Sequence, residues 1–239
     1  MKFSLGRRVT AEFLGTGFLV AAVVGSGIMG ELLAGGNVAV ALLSNTLATG
    51  AALAALILMF RPVSGAHFNP AVSLAEWSRG NISGQESAFY VLAQICGGVG
   101  GTVCANLMFA LPAISLSHHA RTGGPQWFSE FVATFGLLLV ISLCARFSSD
   151  WLPFAVSLYI VAAYWFTAST SFANPAVTLA RMLSDTFAGI RPVDVPGFIA
   201  AQVAGGFAAV IISDWLIVRS DDARVMAREE AAPIHSRED

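Results

Sequence analysis

Long stretches without a charged residue set the first constraint on this chain. No Asp, Glu, Lys or Arg occurs between Glu12 and Glu31, Glu31 and Arg61, Glu86 and Arg121, Glu130 and Arg146, Asp150 and Arg181, or Asp194 and Asp214. The hydrocarbon core of a bilayer is ~30 Å thick and takes about 20 apolar helical residues to cross. The runs supply six spans, at 9–28, 38–60, 86–110, 127–146, 152–170 and 196–218. Two further apolar segments, 70–78 and 175–183, each begin at a proline and are too short to cross alone. Charged residues are 12% of the 239 and hydrophobic ones 56%, whereas a soluble domain carries about 25% charge. Such a chain cannot clothe a water-facing surface, so an ordinary soluble enzyme is excluded and the lipid bilayer is its first partner. A net charge of −2 offers no basic excess for nucleic acid. The three cysteines, Cys96, Cys104 and Cys144, lie in apolar runs and read as small buried hydrophobes, not as disulfides or metal ligands. No cofactor and no metal are expected.

Loop charge predicts orientation. With six spans both ends share one side, which holds ten of the 13 Lys and Arg residues, against Arg121, Arg181 and Arg191 on the other. Residues 1–8 and the tail 219–239 are therefore expected in the cytoplasm, with 111–126 as an outer connecting loop. Arg7 and Arg8 precede the first run and no small-residue cleavage site closes it, which argues against a cleaved signal. The tail mixes Asp, Glu, Arg, Ala and Pro without apolar period and is expected to be disordered.

The chain also repeats itself. Residues 69–75 read Asn-Pro-Ala-Val-Ser-Leu-Ala and residues 174–180 read Asn-Pro-Ala-Val-Thr-Leu-Ala. Glu12-Phe13 is echoed by Glu130-Phe131, and Gln94-Ile95-Cys96-Gly97-Gly98 by Gln202-Val203-Ala204-Gly205-Gly206. Each copy carries three spans, and an odd number forces opposite topology. The prediction is an all-α membrane protein built as an inverted three-plus-three repeat, residues 9–110 and 127–218, with a solute path between the copies.

Asn is a preferred N-cap and Pro suits the first helical position, so Asn69-Pro70-Ala71 and Asn174-Pro175-Ala176 read as starts of half-helices. Inverted symmetry brings the two starts together from opposite faces, completing a seventh, broken span. Non-helical backbone at that depth is tolerated only where it lines a wet cavity. The preceding residues, Ser64-Gly65-Ala66-His67-Phe68 and Ala168-Ser169-Thr170-Ser171-Phe172-Ala173, are small and polar enough for their carbonyls to form a ladder. Each half-helix start carries about half a positive charge, which repels cations, while the two Asn amides donate to a passing oxygen. The implied cargo is a small neutral solute with hydroxyls.

Ser64-Gly65-Ala66-His67-Phe68-Asn69-Pro70-Ala71-Val72, with the duplicated Glu and Gln-x-x-Gly-Gly elements, resembles the major intrinsic protein family, the aquaporins and aquaglyceroporins. The resemblance covers 8–218. It implies six transmembrane helices plus two re-entrant half-helices, a homotetramer with one pore per subunit, and passive transport in a bacterial-type inner membrane. The family normally places Arg after the second Asn-Pro-Ala; here that position is Val177. By offset, the rest of the family's selectivity filter falls on Thr49, Ala162 and Ser171 or Phe172, an uncharged set that predicts a wide filter. Val in place of Arg resembles the aquaglyceroporins of bacterial arsenic-resistance operons, which pass arsenite as As(OH)3; glycerol and water are further candidate cargoes, and an ordinary water or glycerol facilitator is the alternative.

Other residues have bland and sharp readings. Glu12 and Glu130 are charges inside spans, which are costly and usually functional; they either anchor the pore loop of their own half or touch solute. His67 anchors its loop or forms a cytoplasmic gate. Gly97-Gly98, Gly100-Gly101 and Gly205-Gly206 let helices cross closely. His118 and His119 are a solvated pair or a metal site. Arg181, four residues beyond Val177, either gives the outer vestibule a positive charge or pairs with Asp185. Trp77, Trp127, Trp151 and Trp215 suit membrane interfaces. Two rival classes remain. A secondary transporter would need an ionisable coupling residue at the midplane, and a membrane enzyme would need a nucleophile or acid–base constellation at one depth.

Overall fold

The computed structural model describes residues 3–230, with side chains described as far as residue 217. Among these residues there are eight α-helices and no strand: α1 (Leu5–Leu33), α2 (Val38–Ser64), α3 (Pro70–Ser78), α4 (Gly84–Met108), α5 (Gly124–Phe147), α6 (Leu152–Phe166), α7 (Pro175–Arg181) and α8 (Val195–Glu230). Local chemistry fixes the starts. The Asn37 side chain accepts from two N–H groups at the head of α2, and Ser83 with Glu86 forms a capping box on α4. The short helices α3 and α7 open as the two repeats require, with Asn69 and Asn174 accepting from the first free N–H groups and proline next.

α1, α2 and α4 form one half; α5, α6 and α8 form the other. α1 packs along α4 and α2, α5 along α8 and α6, while α3 and α7 meet between the halves. The α1–α4 and α5–α8 crossings are close because glycines face backbone. A Cβ at Gly97 would lie 2.2 Å from the Phe13 carbonyl oxygen, at Gly101 2.2 Å from that of Gly17, and at Gly205 2.3 Å from that of Phe131. Gly100, by contrast, faces open space.

The burial pattern is that of a protein in lipid. Leu33, Met108, Leu158 and Ile211 are exposed, whereas Glu12, Glu130, Gln94, Gln202 and Asn106 are fully buried. Trp77, Trp127, Trp151 and Trp215 all stand on the exposed surface.

Several expectations need correction. Among the described residues five helical segments are long and apolar enough to cross a membrane: α1, α2, α4, α5 and Pro192–Ile217, a 3₁₀ turn running into α8. The fifth span, expected over 152–170, stops at Phe166 because Thr167–Ala173 leave the helix to form the second loop. Its 15 residues cover about 22 Å at 1.5 Å per residue, and a 3₁₀ turn at Ser149–Trp151 extends its start. The tail is not irregular from 219 onward: α8 continues to Glu230, since Ala, Arg, Met and Glu are good helix formers and elongating an existing helix avoids nucleation. The rest of the tail, 231–239, lies outside the described residues. The cysteines are not interior hydrophobes; Cys96 and Cys104 are exposed and Cys144 is half-buried, because in lipid an apolar residue fits either side of a helix.

The crossings give a direct test. Gly97→Ala and Gly205→Ala each force helices apart and should destabilise the protein by about 1–3 kcal/mol, the scale of overpacking, whereas Gly100→Ala should be neutral. Thermal unfolding in detergent, followed by size exclusion, reads the difference.

Candidate functional site

Two buried carboxylates organise the centre. Glu12 on α1 accepts from the backbone N–H of His67 at 3.0 Å and of Phe68 at 2.6 Å, and from the Ser64 hydroxyl at 2.6 Å. Glu130 on α5 accepts from Phe172 N at 2.9 Å and Ala173 N at 2.8 Å. The loops they hold contain left-handed non-glycine residues at Ala66, Phe68, Thr170, Ser171 and Ala173, a conformation costing of order 1–2 kcal/mol per residue. Oriented amide–carboxylate bonds offset that strain.

The third repeated element completes the arrangement. The Gln94 side-chain amide donates to Glu12 at 2.8 Å and to Ser73 Oγ at 2.9 Å; that of Gln202 donates to Glu130 at 2.6 Å and to Thr178 Oγ1 at 2.8 Å. The repeated Glu, the Gln and the fifth residue of the Asn-Pro-Ala-Val-Ser/Thr motif are thus one hydrogen-bonded cluster, present twice. Ser73 and Thr178 are missed by the sequence reading, although their repetition as Ser and Thr is visible in it.

The loops then lock to each other. Asn69 Nδ2 donates to the Ala173 carbonyl and Asn174 Nδ2 to the Phe68 carbonyl, both at 2.8 Å. Asn69 Oδ1 caps Ala71 N at 2.9 Å, and Asn174 Oδ1 caps Ala176 N at 3.0 Å and Val177 N at 3.2 Å. Each amide nitrogen keeps one further proton. Pro70, Ala71, Pro175 and Ala176 are buried behind them.

Both asparagines line a cavity of about 330 Å³. At one end lie Arg61, Glu76 and Ala145, near the C-terminal ends of α2, α3 and α5; at the other lie Tyr164, Phe172 and Arg181, near those of α6 and α7. Along one wall run the loop residues Gly65, Ala66, His67, Ser171 and Ala173, and along the rest Leu19, Val23, Leu53, Leu137, Val156 and Ile160. His67 lines it with Nδ1 3.0 Å from Ser73 Oγ and its ring edge-on to Tyr90 at 5.2 Å.

Of the residues assigned to the filter, Thr49, Ser171, Phe172 and Val177 line this cavity together. Ala162 does not: it is exposed on the outer side of α6. The lumen side of α6 is Leu152, Val156, Ile160 and Tyr164, four apart, and two residues from Ile160 turn about 200° around the helix. Tyr164 takes the place expected of Ala162, its hydroxyl 3.4 Å from Thr49 Oγ1. Arg181 is buried and lines the cavity, and it does not pair with Asp185. Asp185 instead holds His118, accepting from the backbone N–H at 2.8 Å and facing Nδ1 at 2.9 Å, so that exposed carboxyl sits below its ordinary pKa. No metal-binding group of three His, Cys, Asp or Glu occurs among the described residues. Arg121, assigned by sequence to a loop, is buried beside the filter, and nothing in the sequence marks it.

The comparisons fit this geometry. The family profile described as Major intrinsic protein matches residues 1–151. The chain is 52% identical over 235 residues to the aquaglyceroporin AqpS of Rhizobium meliloti (strain 1021), covering 97% of this chain and 99% of that one. It is 28% identical over 246 residues to the aquaporin AqpM of Methanothermobacter marburgensis, covering 89% and 98%. The X-ray structure of the aquaglyceroporin from Plasmodium falciparum superposes with a TM-score of 0.72 at 22% identity, over 92% of this chain and 100% of that one. At that identity the likeness speaks for the fold.

The carboxylate clusters predict an asymmetry between substitutions. Glu130→Ala strands two loop N–H groups and the Gln202 amide, and should destabilise by about 3–5 kcal/mol. Glu130→Gln keeps an acceptor and should retain part of that stability. Equal melting temperatures for wild type and both variants would contradict the anchoring role.

Proposed function

The chain belongs to the major intrinsic protein family, and from that premise we propose that it is an aquaglyceroporin-type channel whose outer filter, opened by Val177, passes neutral metalloid acids such as As(OH)3 as well as glycerol and water. It is a multi-pass membrane channel and not an enzyme. The observation that carries the finer reading is Val177. It lines the cavity three residues beyond Asn174 and brings neither charge nor donors to a place where a guanidinium would bring five.

The mechanism follows from the walls. On the apolar side a solute loses its hydration without replacement; on the loop side carbonyls and the two Asn amides supply a few oriented hydrogen bonds. A neutral, compact polyhydroxyl solute exchanges water for these contacts at little net cost. A cation meets the positive ends of α3 and α7, with no carboxylate facing it at the centre because Glu12 and Glu130 spend their oxygens on the loops. Among the described residues the central carboxylates, Glu12 and Glu130, are held by the loops and do not line the cavity where a carrier would need a coupling group.

Thr49, Tyr164, Phe172, Val177 and Arg181 form the filter in this reading. Tyr164 and Arg181 also give the alternative, an ordinary water or glycerol facilitator, a specific support, since both add bulk that the sequence-based set lacked. In the same reading His67 anchors its loop, the subunits assemble as homotetramers, and the residue 1–8 and 219–239 segments face the cytoplasm of a bacterial-type inner membrane.

Val177→Arg separates the two readings. A guanidinium at 177 should cut arsenite and glycerol flux in proteoliposomes roughly tenfold or more, a barrier change of ~1.4 kcal/mol, while water flux stays within about twofold of wild type. Arsenite and glycerol flux at the wild-type rate, in a variant confirmed to be inserted, would remove Val177 from the filter and favour the facilitator.

A further inference from the structure

Two arginines meet in the outer half of the channel, and they are used differently. Arg121 spends its side chain on the loops: Nε donates to the Gly189 carbonyl at 2.8 Å, one terminal nitrogen to the Ser169 carbonyl at 3.2 Å and to Thr170 Oγ1 at 3.4 Å, and the other to the Phe187 carbonyl at 3.4 Å. Arg181 donates from Nε to the Ala188 carbonyl, and the Tyr164 side chain lies beside its guanidinium. Its guanidinium lies 3.4 Å from the centre of the Phe172 ring, which Arg121 also faces at 4.9 Å. The Tyr164 side chain is the one polar neighbour of the terminal nitrogens of Arg181 among the described residues, and it brings no negative charge to a guanidinium that is only 2% exposed and lines the channel.

No carboxylate neutralises this pair. Among the described residues neither arginine side chain has an acidic group within ion-pair distance. Glu130, the acid whose charge acts on both, is occupied by Phe172 N, Ala173 N and Gln202. Asp194 accepts from the Arg121 backbone and from Arg191, and Asp185 holds His118. Burial, followed by the charges of Arg121 and Arg181, holds His119 below its ordinary pKa, and an imidazole in any case supplies no negative charge. The residue that the repeat places opposite Arg181 is Glu76, and the arginine just after α3 is well partnered: Arg79 donates to Asp214 at 2.9 Å, Ser142 at 2.9 Å and Ser213 at 2.5 Å.

A buried guanidinium without a counter-charge is costly, and its planar fork matches an oxyanion of two coplanar oxygens. We infer that Arg181 is a binding site, reachable along the channel, for a small planar monovalent oxyanion of the nitrate or formate class, and that the bound anion obstructs neutral solutes. The Ser171 hydroxyl, buried in the same stretch without a protein partner, is a second group available to such a ligand. Arg121 is the positioning residue, fixing the Phe172 ring on which Arg181 rests. The obstruction rests on the channel reading above; the binding does not.

The test uses purified full-length protein with sodium nitrate against sodium gluconate at equal ionic strength. Nitrate should raise the thermal midpoint in detergent by about 3 °C at a tenfold excess over its Kd, and should lower water and glycerol permeability of proteoliposomes over the same concentration range. Arg181→Leu should abolish both effects. Arg181→Lys keeps the charge but loses the fork, and should weaken binding roughly tenfold; it serves as the second variant if the Leu form does not fold. An equal nitrate shift in wild type and the Arg181 variants, or no shift and no block in wild type, overturns the site. A wild type that shifts with nitrate yet carries neither water nor glycerol would instead overturn the channel reading and leave the site standing.

Discussion

Everything at the centre of this protein depends on two carboxylates buried where lipid surrounds the helices. A charge at that depth is tolerated only when every oxygen is occupied. Glu12 and Glu130 meet that condition by accepting from loop N–H groups and from Gln94 and Gln202. The same bonds hold two loops in left-handed turns that non-glycine residues avoid. Once the loops are fixed, Asn69 and Asn174 can cross-link them, and α3 and α7 are placed head to head. Removing the carboxylates would leave the loop N–H groups without their acceptors.

The apolar surface does a different job here than in a soluble protein. Lipid offers no hydrophobic drive for helices to associate, so close backbone approach and buried polar bonds must hold the bundle. The glycines at α1–α4 and α5–α8 provide the first, and the Glu–Gln–Ser/Thr clusters the second. Duplication then gives the channel its near-symmetry, and the departures from symmetry stand out. Where one half carries Glu76, beside Arg79, the other carries Arg181, which faces the lumen without an acid.

Much of this is legible in the sequence because inverted repeats place the same chemistry twice. The half-helix at 70–78 is read with its observed bounds, since Asn-Pro is both an N-cap and a first-turn signal. What escapes is whatever depends on which way a side chain turns in lipid. Ala162 and Tyr164 are both acceptable to either side of α6, so only the packed helix assigns Tyr164 to the lumen. The cysteines fail for the same reason. Arg121, in the outer loop, and Arg181, at the end of α7, are brought to one phenyl ring by tertiary folding, which no local pattern encodes. The continuation of α8 to Glu230 is a matter of propensity and elongation, and composition alone understates it.

The central claim is that neutral solutes cross an open, preformed path and that no coupled conformational change carries them. Stopped-flow light scattering of wild-type proteoliposomes tests it most directly, with inward glycerol gradients of rising concentration. The account predicts an initial flux that rises linearly with the gradient and exceeds that of protein-free liposomes throughout. A flux that saturates with glycerol concentration would contradict it and make the protein a carrier.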